Sequence, residues 1–416
     1  MLQNNSVIWS KKKKFVFLLF FFYSVLYFFP FPLNIIKYLD FIFDYYFKAQ
    51  ELFIQLFKGI DFRNNTFSDS GDSTFYFYQF YLYLILSFLL STFVFFLDKN
   101  RNNYIYLQKH LYTYIRYCIG FYMLIYGFDK ILKSHFPFPT LEKLIRPLGE
   151  SSPQALLWTF MGYSKIYTFY LGAVEVLSGM LLLFKRTSVI GAILAFTILI
   201  NVFIINYSYD VPVKLFATNM CAFIIYLISP FLKPLHTFFI LRNETKLDLQ
   251  TEGDYPKFII SYKKIIKTII IIFFTLLIIQ QSITKMNTFG DGVPTPVLYG
   301  IYQTQQFQVN ADSTSTSKAK KWEKLLIDKR YTTIIKTNNE RSYYQTEIDT
   351  AQKIILFKAN LHFAFQLNYK IIQNNLYLNG MIDSDSISVQ LKKFDLEEFP
   401  LIKRKFYWIE EFPYNN

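Results

Sequence analysis

The chain has 416 residues, of which 52% are hydrophobic, 20% aromatic and only 18% charged, a balance that excludes a disordered chain and an ordinary soluble globule. The net charge is +14, but the basic residues stand at the ends of apolar runs, so the charge reads as membrane topology and not as nucleic-acid binding. Two cysteines (Cys118, Cys221) without a C-x-x-C exclude a disulfide framework and a thiol-exchange centre; four scattered histidines (His110, His135, His236, His362) exclude a bis-histidine haem or an H-E-x-x-H zinc site.

A basic cluster at 11–14 precedes the first apolar run, 15–29, which is followed by Pro30-Phe31-Pro32 and not by a small-residue cleavage site. An uncleaved anchor is expected. Residues 33–58 carry apolar side chains at helical spacing, interrupted by Lys37, Asp40, Asp44, Lys48 and Glu51. That is too many charges to span, and the pattern predicts an amphipathic helix, either lying on the outer membrane surface or packed against the bundle. Asp72, in Ser70-Gly71-Asp72-Ser73, is placed to cap the next helix, with a role at the outer mouth beside Asp210 as the alternative. Further apolar runs cover 75–97, 111–132, 162–184, 188–207, 211–228 and 265–283, making about seven transmembrane helices in all. Trp158 suits an interfacial anchor, Glu150 a solvated loop or a counter-charge to Lys130 or Lys214, and Pro212 the first turn of the sixth span.

Charges set the expected orientation. If odd-numbered spans leave the cytoplasm, the segments at 11–14, 99–109, 185–186 and 230–264 are inside, and each is basic close to the membrane. The N-terminus is then cytoplasmic, the protein multi-pass in the inner (cell) membrane, and the C-terminal part periplasmic.

After Thr284 short alternating segments take over, at 298–310, 331–337, 343–349, 353–359, 363–369, 375–382 and 386–394, separated by Asn, Asp, Ser and Gly turns. They predict an antiparallel meander closing into a small β barrel, joined to the last span by a Gly/Pro linker at 289–296. Residues 310–320 read as a polar loop, and the aromatic end "FYWIEEFPYNN" as a segment packing back on the barrel. A barrel of this size either is filled by side chains or holds one apolar ligand, a lipid or quinone. The expected organisation is an anchor, interfacial helix and second span (1–110), a four-helix bundle (111–230), a cytoplasmic loop (231–264), a last span (265–283) and an extracytoplasmic β domain (284–416).

Glu175 is the sharpest functional signal, because a carboxylate in an apolar helix is costly unless paired, solvated or protonated. Gly172, Glu175 and Gly179 share one face of their helix; Arg116, Gly120, Met123, Gly127 and Lys130 share one face of theirs. Small residues let helices approach closely in lipid, so the two stripes are expected to pack together. Glu175 lies roughly 13 Å from the cytoplasmic end of its span, within reach of a long side chain directed inward, and an Arg116–Glu175 ion pair is predicted. Lys130, Asp129, Asp210 and Lys214 collect at the outer end. Three readings stay open: a pair that only fixes helix register, a ligand or proton site, and lysines that snorkel to the interface unpaired.

The stretches "YIRYCIGFYMLIYGFDKIL", "LGAVEVLSGMLLLFKRTSVIGAI" and "NVFIINYSYDVPVK" resemble the DoxX family of small membrane proteins, over residues 115–229. The family pattern falls on Arg116, Gly120, Gly127 and Lys130 of the first core helix and on Gly172, Glu175 and Gly179 of the second. The wider chain is similar to a longer, Bacteroidetes-type variant, through "SDSGDSTFYFYQ", "ESSPQALLWTFMGYS", "YDVPVKL" and "LYGIY…FYWIEEFPYN". The resemblance implies a four-helix membrane core and an accessory subunit of a quinone-linked redox system. Because the chain has no redox centre of its own in sequence, the redox group would come from a quinone or a redox partner subunit. A non-redox transporter or a lipid-binding envelope protein is the alternative.

Overall fold

In the computed structural model, residues 7–58, 71–245, 257–310, 321–359, 362–382, 385–404 and 406–414 are described. Most of the expected polar loop at 310–320 and part of the cytoplasmic loop lie outside them. The helices are α1 (Lys11–Phe28), α2 (Asp40–Lys58), α3 (Thr74–Leu97), α4 (Ile105–Ile131), α5 (Leu141–Ile145), α6 (Pro153–Tyr163), α7 (Lys165–Leu183), α8 (Ser188–Ser208), α9 (Lys214–Ile228), α10 (Leu232–Phe239), α11 (Lys257–Phe289) and α12 (Pro400–Lys403). Eight strands follow α11: β1 (Gly300–Val309), β2 (Trp322–Ile327), β3 (Thr332–Lys336), β4 (Arg341–Asp349), β5 (Ile354–Ala359), β6 (His362–Ile372), β7 (Asn375–Ile382) and β8 (Asp385–Lys393). Two compact units result, one of residues 1–135 with 166–284 and one of residues 136–165 with 285–416.

The first unit is an α-helical membrane bundle. Among the described residues, six helical stretches are long and apolar enough to cross a bilayer: 11–35, 74–97, 165–183, 188–208, 214–239 and 262–289. Helix α3 shows the lipid pattern of large apolar residues outside and small polar ones inside. On α3, Ile85, Phe88, Phe93 and Phe96 are exposed, while Ser87 and Ser91 are buried and donate back to the carbonyls of Tyr83 and Ser87. Residues 105–131 form the seventh long helix, α4, which at 27 residues reaches about 40 Å. Its apolar character is diluted by Arg116, Asp129 and Lys130, and all three are buried. Placement explains this. Ile115, Ile119 and Leu124 of α4 share one core with Phe28 of α1, Leu182 of α7, Ala195 of α8, Phe223 of α9 and Phe274 of α11. A helix surrounded by protein can carry charge that a lipid-facing helix cannot.

The amphipathic segment forms α2, preceded by two short turns at Leu33–Ile35 and Lys37–Leu39. It packs on α3. Gln79 donates to Gln50 Oε1 at 2.6 Å, Gln50 donates to the Tyr83 hydroxyl at 3.1 Å, and Ile54 meets Phe75.

The second unit is a closed, eight-stranded, up-and-down antiparallel barrel in which β8 returns to pair with β1. Every second residue points inward, and Tyr302, Phe307, Leu325, Ile334, Phe357, Phe365, Leu378 and Val389 pack together inside. Strand β2 is the one that alternation does not reveal. Leu325 and Ile327 face the barrel core, but Leu326 between them is also buried, under Leu141 and Leu144 of α5 and Phe394, Leu396 and Phe399. A strand covered on both faces loses its period of two.

Residues 136–165, which lie in sequence between two core spans, belong to the barrel unit. The Leu141 amide donates to Asp328 Oδ2 and the Phe138 amide to Asp291 Oδ1, both at 2.7 Å. Arg341 donates to Glu142 at 3.4 Å and to Glu150 at 3.1 Å, so Glu150 serves the barrel wall and is not simply solvated. Trp158 packs edge-on against Phe136 at 5.2 Å. The aromatic end departs from expectation. Residues 394–399 pack on the barrel, but Phe406, Trp408, Ile409 and Phe412 are 77–91% exposed. Phe406 and Trp408 pack edge-on at 5.1 Å, and the Arg404 guanidinium lies over the rings of Tyr407 and Tyr414 and pairs with Glu410.

Candidate functional site

Helices α4 and α7 meet backbone to backbone through their glycines. A Cβ on Gly127 would stand 2.8 Å from the Gly172 carbonyl oxygen, and one on Gly179 would stand 2.7 Å from that of Gly120. Real Cβ atoms do not fit at such distances, so glycine is required at this approach. The two contacts run antiparallel and put Glu175 level with Leu124. Lys130 then lies about 9 Å outward along α4, and Arg116 about 12 Å toward the other end.

Side-chain direction decides which of them reaches Glu175. The Cα–Cβ bond tilts toward the N-terminus of its own helix. On α4 that tilt carries Lys130 toward Glu175 and carries Arg116 away from it. On the antiparallel α7 it carries Glu175 toward Lys130. The structure accordingly pairs Glu175 with Lys130: the ammonium donates to Oε1 at 2.6 Å and to Oε2 at 2.7 Å, with Lys130 8% and Glu175 5% exposed. The expected Arg116–Glu175 pair is therefore corrected. Arg116 is buried near the other end of α4, with its guanidinium 5.2 Å from the Tyr117 ring centre, and Lys267 of α11 approaches the same ring at 5.4 Å.

The end of α4 is tied to a second helix as well. Asp129, adjacent to Lys130 and equally buried, accepts from the Ser282 hydroxyl of α11 at 2.6 Å. Lys133, with a left-handed φ of 56°, turns the chain out of the helix, and the amides of Ser134 and His135 donate to the Asp129 carbonyl at 2.9 and 3.0 Å. Ser282 went unnoticed in sequence, where one serine in an apolar run signals nothing. The Tyr126 ring lies 5.7 Å from the Lys130 ammonium, and Tyr126, Phe216 and Tyr122 form a ring-to-ring series at 6.0 and 5.3 Å.

Asp210 and Lys214 form a separate pair at 2.6 Å, with the Asp210 side chain largely exposed. Asp72 joins it from the loop before α3, with an oxygen 3.7 Å from the Lys214 ammonium. Its carboxylate accepts from the backbone amides of Lys214 and Leu215, at 2.9 and 3.0 Å, and so caps α9. Gly71 makes this approach possible, since a Cβ there would stand 3.0 Å from the Val213 side chain. Pro212 lies two residues ahead of α9 and not in its first turn. Asp72→Ala should lower stability by about 1–2 kcal/mol, and Asp72→Asn by less, read as a shift in thermal unfolding of the purified protein.

No family model matches the chain, and no solved structure matches it. The uncharacterized protein YwoB of Bacillus subtilis (strain 168) is 32% identical to it over 107 residues, which is 26% of this chain and 68% of YwoB. The chain belongs to the YwoB family.

Proposed function

We propose that this integral membrane protein is a DoxX-like accessory subunit of a quinone-linked redox system in the inner membrane, with the Lys130–Glu175 pair as its working centre. The observation that carries the reading is an ammonium and a carboxylate held together at 2.6 Å, both nearly inaccessible, inside a bundle of apolar helices. Desolvating two charges is expensive, and an ionisable pair inside membrane-spanning helices marks a functional site by default. The carboxylate takes two of the ammonium protons and leaves the third for an acceptor on a ligand. The rings of Tyr126, Tyr122 and Phe216 next to it suit a flat apolar ligand, and on this ground the residues fit a quinone. A bound quinone would supply the electron-accepting group. Lys130 would hold one of its oxygens, Glu175 would keep the ammonium in place, and Asp129 with Ser282 would keep that end of α4 in position.

The proposed orientation is supported by the composition of the barrel unit. Residues 136–165 and 285–416 fold together, so they share one side of the membrane. Four long helices, α7, α8, α9 and α11, run between them, an even number that satisfies this requirement. Lys11 to Lys14, Lys185, Arg186, Lys233 and Arg242 then fall on the other side, which the positive-inside rule assigns to the cytoplasm, and the barrel is periplasmic.

The test uses the protein in its native membranes. Wild-type protein should copurify with quinone or with a redox subunit. Glu175→Gln should insert stably and abolish the associated respiratory activity. Unaltered activity in a stably inserted variant would rule the proposal out and favour a transporter or a lipid-binding envelope protein.

A further inference from the structure

Helix α2 presents three faces. At 100° per residue, Phe43, Gln50 and Ile54 share the face that is buried, and Gln50 and Ile54 dock it on α3. Asp40, Glu51, Asp44 and Lys48 fall together on an adjoining arc of about 80°. Phe41, Leu52, Tyr45, Ile42 and Phe53 occupy the remaining arc of about 120°. That last arc is exposed, with Phe41 at 64%, Tyr45 at 73% and Leu52 at 54%.

We infer that α2 is an interfacial helix whose Phe41–Tyr45–Leu52 face enters the headgroup and upper acyl region of a phospholipid bilayer, while its charged arc faces water. Two observations select lipid as the occupant. The helix lies in sequence between two membrane-spanning helices and docks on one of them, α3. The charges are also sorted: Asp40, Asp44, Lys48 and Glu51 lie on one side of the helix and none of them interrupts the apolar arc. A helix oriented across the membrane would drag that charged side through hydrocarbon. One lying in the interface satisfies all three faces at once.

The experiment measures depth in the full-length protein, reconstituted in nanodiscs of phosphatidylethanolamine and phosphatidylglycerol. Nitroxide labels are placed one at a time on Tyr45→Cys, Leu52→Cys, Asp44→Cys and Lys48→Cys; the native Cys118 and Cys221 are buried, and the unsubstituted protein serves as the background. Labels at 45 and 52 should be reached preferentially by oxygen, and labels at 44 and 48 by a water-soluble nickel chelate. Equal access of the chelate to all four positions would place α2 in water. Low access of both probes at 45 and 52 would mean that protein covers this face. Either result overturns the inference. Tyr45→Trp gives a label-free check: brominated phospholipid should quench its added fluorescence and aqueous iodide should not, and the reverse would count against the inference.

Discussion

Removing one partner of the buried pair, by Lys130→Met or Glu175→Leu, should destabilise the bundle by about 3–5 kcal/mol, because the remaining charge is left desolvated and unmatched. The double variant Lys130→Met/Glu175→Leu should recover most of that loss, since two apolar side chains of similar length replace a pair that was costly to bury. Reversible unfolding in bicelles measures all four corners of the cycle. Arg116→Met combined with Glu175→Leu should be additive within about 0.5 kcal/mol, because the register of α4 on α7 sets Arg116 about 12 Å along the helix from the level of Glu175. The stable double variant also separates structure from function: if the pair serves only as a register pin, associated activity survives in it, whereas under the proposed function it is lost.

Substitution at the glycine approach should have an effect of similar size by a different route. A Cβ on Gly172 would lie 2.5 Å from the Gly127 carbonyl oxygen, and one on Gly127 would lie 2.9 Å from the Val176 amide nitrogen. Backbone atoms cannot move aside as a flexible side chain can, so α4 and α7 must separate. Gly172→Ala should cost about 1–3 kcal/mol, and Gly172→Val more. Separation would also draw the Lys130 ammonium away from Glu175, so the cost should include part of the pair. Gly149, beside which an added Cβ meets nothing within 4 Å, is the control, and Gly149→Ala should be neutral within about 0.5 kcal/mol. The same unfolding assay and the yield of inserted protein report both.

The membrane class, the succession of long helices and the barrel were legible in the sequence because each rests on a periodicity that survives without knowledge of neighbours. Continuous apolar runs gave the spans, and alternation gave seven of the eight strands. The missing strand, β2, is buried on both faces by segments from distant parts of the chain, and nothing local records that cover. The incorporation of residues 136–165 into the barrel unit was invisible for the same reason.

At the site, the helical stripes of Gly120, Gly127, Gly172 and Gly179 could be read from spacing. The identity of the cation could not be read from reach alone. Arg116 has the longer side chain, but the tilt of Cβ atoms on antiparallel helices points Lys130 and Glu175 toward each other and Arg116 away. Asp72 shows a similar limit. Its position just ahead of α3 suggests a cap on the nearest amides in sequence, yet its carboxylate also reaches the first amides of α9, from a distant part of the chain. The aromatic tail illustrates the converse: a composition that suggests burial does not supply a surface to be buried against, and Trp408 stays 91% exposed.

The pairing of Lys130 with Glu175 can be tested most directly by solid-state NMR on protein in lipid, with 15N in lysine and arginine side chains and 13C in glutamate carboxyls. A strong dipolar coupling between a lysine Nζ and the Glu175 carboxyl carbon should be present, should vanish in Lys130→Gln and should persist in Arg116→Gln. A Glu175 carboxyl coupled instead to arginine nitrogens, and lost in Arg116→Gln, would contradict the arrangement of α4 against α7 on which the functional proposal rests.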